Sequence, residues 1–174
     1  MNTHVIPKTP QPRGFTLVEI LIVVVILGIL AAIAVPKLSN ASQITRENTL
    51  KEELRFLRTQ VVVYQNQHRG TNPGYPNGDT AQAPTSQALI DQLTLPSDEV
   101  GKTATVGSPV YRFGPYLSRM PENPLNAKGD IKIVTTDAAM IADDTTGWLY
   151  QINSGAISAN NTGTDSSGRP IFNY

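Results

Sequence analysis

The chain is predicted to be α+β, with a long N-terminal α-helix packed on a small antiparallel β-sheet. Three observations predict it. Residues Phe15 to Val35 form an apolar run of 21 residues, with Glu19 as its only charge and Thr16 as its only other polar side chain. Leu50, Leu54, Leu57, Val61 and Tyr64 then recur at alternating steps of four and three, the spacing of one helical face. Past residue 130 the pattern changes to short segments, Ile131 to Thr135, Trp148 to Ile152 and Ala156 to Ala159, with strand-like composition and an Asn153-Ser154-Gly155 turn between the last two.

Residues 1–14 read as a leader. They hold Lys8 and Arg13, no acid and three prolines, which suits a short disordered segment kept on the cytoplasmic side by its positive charge. Residues 15–36 read as a transmembrane helix. At 1.5 Å per residue, 21 residues span roughly 31 Å, close to the hydrocarbon thickness of a bilayer. An ordinary secretory signal cut after Ala32-Ile33-Ala34 fits less well, because its apolar core would exceed the usual length and Pro36 would stand second after the cut. A plain signal anchor fits the length. Neither alternative explains Glu19, for which no neutralising group is evident nearby in the chain, or a glycine at the junction of leader and run.

The string Gly14-Phe15-Thr16-Leu17-Val18-Glu19 resembles the cleavage and methylation signature of type IV pilins and of the pseudopilins of type II secretion. The resemblance implies cleavage between Gly14 and Phe15 by prepilin peptidase and N-methylation of Phe15. The freed Phe15 amine is then the available partner for Glu19, in cis or on a neighbouring copy, and the resemblance implies the neighbour. Physical chemistry agrees on two counts. A glycine before the scissile bond lets a protease approach the backbone closely. A carboxylate within hydrocarbon is costly and normally finds a partner facing a protein interior. Pro36 removes a helical hydrogen bond, so a kink or local loosening is expected there.

Residues 37–69 continue as an amphipathic stem helix, with Gly70 ending it. Glu47 and Lys51 stand in the favourable i, i+4 order. Residues 70–174 form the globular head. Within it, residues 71–79 are turn-rich, and Ser86 to Leu93 form a short helix capped by Thr or Ser. Residues 114–126, bracketed by prolines, form a short helical turn flanked by loops. A flexible Gly, Ser, Asn and Thr tail closes the chain. One long helix followed by a small sheet matches the pilin-like architecture, and the head resembles that of a major pseudopilin.

Charge is segregated although the total is zero. Residues 37–69 carry six basic side chains against three acidic, and residues 71–174 carry six against ten. A basic stem and an acidic head suit contact between copies, and the acidic head disfavours nucleic acid. The absence of cysteine excludes disulfides and thiolate sites. His4 lies in the leader, which leaves His68, placed at an exposed helix end, as the only histidine of the processed chain. There is no phosphate-binding glycine loop and no H-E-x-x-H spacing, and the adjacent Asp143 and Asp144 point apart if they lie in a strand. No enzyme is expected and no cofactor is implied. Major pseudopilins often bind calcium in a late loop, and Asp143, Asp144 and Thr145 could supply oxygen ligands. Their spacing matches no defined calcium loop, and no metal is claimed.

The expected function is therefore structural: a subunit that waits as a single-pass inner-membrane protein with a periplasmic head. A cytoplasmic ATPase and a membrane platform then polymerise it into a helical homopolymer, most simply a periplasmic pseudopilus. A surface pilus for adhesion, motility or DNA uptake is the alternative, followed by a membrane-anchored binding module that does not polymerise.

Overall fold

The computed structural model describes residues 14–104, 109–135 and 139–174; the leader, apart from Gly14, lies outside them. The chain divides into two compact units, Met1–Ala41 and Ser42–Tyr174. Helix α1, Leu17–Gln67, is 51 residues long and contributes to both, and its helical assignment continues through Pro36.

In the N-terminal unit, α1 buries none of its apolar side chains within the chain. From Leu17 to Leu38 every large hydrophobic is exposed, on all sides of the helix. Such a surface has no stable place in water and requires lipid or other protein.

In the second unit α1 becomes one-sided. Leu50, Leu54, Leu57, Val61 and Tyr64 are each at most 2% exposed. They pack with Leu89 and Leu93 and with Trp148, Tyr150, Ile152 and Ile157 in a single core. The stripe read from spacing is thus the head's own core contact. The helix ends in a Schellman arrangement. Arg69 takes the left-handed conformation (φ 56°), and the Gly70 N–H donates to the Gln65 carbonyl at 2.8 Å.

Helix α2 spans Ser86–Thr94, and the Thr85 side chain caps it by accepting from the Ala88 N–H at 3.1 Å. The sheet comprises β1 (Ile131–Val134), β2 (Trp148–Gln151) and β3 (Ala156–Ala159), in that order. The hairpin β2–β3 is antiparallel as expected, and Gly155 takes a positive φ of 71° in its turn. The β1–β2 pair is parallel, which makes the sheet mixed rather than wholly antiparallel. Side-chain alternation marks the faces of a strand but carries no information on its direction. The connection through residues 135–147 is long enough for the crossover that a parallel pair needs.

Residues 114–126 hold the expected single helical turn, closed by the Ala127 N–H donating to the Asn123 carbonyl at 2.8 Å, with bends and loop before it. One further expectation is corrected. The C-terminal segment is not a loose tail. Ser166 donates through its N–H (2.9 Å) and hydroxyl (2.8 Å) to the Glu47 carboxylate, and Arg58 donates to the carbonyls of Ile157 and Tyr174. Asn160, Asn161, Asp165 and Ile171 are buried. Polar composition alone suggested a free tail, but these polar groups are satisfied within the fold.

Candidate assembly site

Gly14 and Phe15 precede α1 in non-helical conformation, and Phe15 is 82% exposed. Thr16 and Glu19 form a capping box. The Glu19 N–H donates to Thr16 Oγ1 at 3.2 Å, while the Thr16 N–H (2.9 Å) and hydroxyl (3.0 Å) both donate to Glu19 Oε2. The carboxylate also lies in the first helical turn, where the helix dipole favours negative charge. Glu19 thus has partners in its own chain, all of them hydrogen-bond donors without charge, which orient the carboxylate. The signal was legible as T-x-x-E before an apolar run. Gly14, Phe15, Thr16 and Glu19 are therefore gathered at one exposed helix start, with Pro36 distant along α1.

In the head, Asp143, Asp144 and Thr145 lie in a bend-rich loop, not in a strand, and Asp144 adopts φ 56°. Asp143 Oδ2 pairs with Lys132 Nζ, and its Oδ1 accepts from the Thr145 hydroxyl (2.6 Å) and from Asn160 Nδ2 (2.7 Å). The Lys132 ammonium, before the hydroxyl and amide bonds, holds the Asp143 carboxyl far below the usual carboxylate range. The Thr162 hydroxyl donates to the Asp144 carboxylate. Lys128 Nζ donates to the main-chain oxygens of Asp144 (2.6 Å) and Thr145 (3.2 Å). The residues do not fit calcium. Both carboxylates are engaged, two loop carbonyls already receive an ammonium, and the described residues include no cluster of three or more His, Asp or Glu able to share a metal ion.

His68 is buried rather than at an exposed end. Its ring stacks on Tyr64 at 3.8 Å between centroids, Nδ1 lies 2.8 Å from the Tyr64 carbonyl, and Nε2 lies 2.9 Å from Ser97 Oγ. Burial lowers its pKa, while hydrogen bonding to Tyr64 and the proximity of Asp98 oppose that shift. With both ring nitrogens committed to structural partners and its ring stacked on Tyr64, it serves as a packing residue.

A long helix that is apolar through its first half and headed by a capped glutamate, joined to a small α+β head, defines a pilin-like subunit. The prokaryotic N-terminal methylation motif matches residues 11–35. Type II secretion system core protein G of Vibrio cholerae is 32% identical over 120 residues, covering 67% of this chain and 68% of its own length. The core protein G of Escherichia coli is 30% identical over 135 residues, 71% of this chain and 91% of its own length. The type IV major pilin protein PilA of Myxococcus xanthus is 46% identical over 50 residues, 29% of this chain and 23% of its own. No solved structure matches. The chain belongs to the family of type II secretion system core protein G, the major pseudopilins. Its exposed apolar helix fits a membrane-anchored subunit.

Proposed function

We propose that this chain is a type II secretion pseudopilin whose Glu19 drives polymerisation. The observation that carries the reading is the Thr16–Glu19 box at the head of a helix whose large hydrophobics from Leu17 to Leu38 are exposed on every side. Thr16 holds the carboxylate at the first turn, next to the bond whose cleavage would free the Phe15 amine. In lipid, an unpaired carboxylate costs roughly 3 kcal/mol on insertion scales. Inside a bundle of such helices, the methylated ammonium of an adjoining copy offsets that cost. The monomer is then stable enough to wait in the membrane and more stable in the filament.

In this reading the leader stays cytoplasmic, the helix spans the inner membrane once and the head is periplasmic. Prepilin peptidase cuts after Gly14 and methylates Phe15, and an ATPase with its platform extrudes the polymer. Pro36 gives α1 a place to loosen as copies pack. The match to PilA covers 29% of this chain, whereas the core protein G matches cover about two thirds of it, which favours the secretion pseudopilus over a surface fibre.

Intact-mass measurement of the protein extracted from membranes tests the processing. The expected product begins at Phe15 and carries one added methyl group. A chain retaining residues 1–14, or one beginning at Val35, would overturn the reading.

A further inference from the structure

We infer that Lys128 and Lys132 do the work of a divalent cation in the 143–146 loop, so that the head folds without calcium. The loop has the features of a cation site: two adjacent carboxylates and main-chain carbonyls turned toward a common positive group. Here that charge is supplied covalently. Lys128 Nζ bridges the carbonyls of Asp144 and Thr145, and Lys132 Nζ neutralises Asp143.

The fold builds this placement deliberately into its backbone. A Cβ added to Gly147 would sit 2.0 Å from the Lys128 carbonyl oxygen, so only glycine allows the loop's exit to run against the segment carrying Lys128. Lys132 lies on β1, paired in register with Leu149 of β2, which directly follows the loop. Asn160 closes the other side, accepting from the N–H groups of Asp143 (2.7 Å) and Asp144 (3.3 Å) and donating to Thr146 Oγ1 (2.9 Å). Each ammonium is hydrogen-bonded within the loop, Lys132 to the Asp143 carboxylate and Lys128 to two carbonyls. An incoming dication would meet like charge where it needs oxygen ligands. The inference concerns the head alone and stands apart from the filament reading.

The test uses the full chain in detergent micelles, followed by the fluorescence of its single tryptophan, Trp148, which is buried in the core. The thermal midpoint should be the same in millimolar calcium chloride and in EGTA. Lys128→Met and Lys132→Met should each lower it by about 3 °C or more. A wild-type midpoint raised by calcium or lowered by EGTA would overturn the inference. So would both variants melting with the wild type. If a variant fails to fold, the calcium and chelator comparison on the wild type still decides.

Discussion

At the scale of single residues, three side chains show how burial and pairing set chemical roles. Glu19 is held by uncharged donors, and Asp143 is held by an ammonium. His68 is held neutral by packing, and this has a measurable consequence. Its folded pKa lies below the ordinary value near 6.5, so protonation favours the unfolded chain. Its contribution is therefore complete above about pH 6.5 and is lost as pH falls through the lower folded value. Asp165, lowered to about 2 chiefly by the Arg169 N–H against opposing burial, loses its contribution only well below pH 4, a separate window. Chemical denaturation of wild type and His68→Gln between pH 7 and pH 5 should show wild-type stability falling with acidification and a flatter profile in the variant. Of these roles, the capping box was legible as T-x-x-E. The burial of His68 was not, because it depends on Ser97 and Phe113 closing over the end of α1 from distant parts of the sequence.

At the scale of elements, helix and hairpin were written in local pattern. The 4-3-4-3 stripe from Leu50 to Tyr64 reports a buried face because helical geometry returns those positions to one side every turn. The Thr85 cap and the Asn153-Ser154-Gly155 turn are local devices and were read correctly. The parallel pairing of β1 with β2 and the packing of residues 160–174 were not legible. The first is a matter of strand direction, which side-chain alternation does not encode, and the second depends on long-range polar contacts such as Glu47 with Ser166 and Arg58 with Tyr174. A paired substitution separates the two faces of α1. Leu57→Ala, at 0% exposure, should cost about 2–5 kcal/mol of head stability through lost burial and the cavity left behind. Phe56→Ala, at 51% exposure one residue away, should cost well under about 1 kcal/mol. Denaturant titration of the two variants checks the contrast, and equal losses would refute the assigned face.

At the scale of the whole molecule, one chain combines two units with opposite solvent requirements. Residues 42–174 bury an apolar core internally, while the apolar stretch of α1 before them, from Leu17 to Leu38, leaves every large hydrophobic exposed. The first unit's surface demands lipid or other copies, and family membership supplies the context in which both are met. The composition already pointed this way, since the apolar material is concentrated in 21 residues and the remainder is polar. The most direct measurement of the central claim is the filament fraction formed by Glu19→Ala, pelleted after shearing and viewed by electron microscopy, with processing confirmed by mass. The account predicts a chain cut before Phe15 and inserted in the membrane but almost absent from filaments. Filaments at wild-type yield from that variant would contradict it.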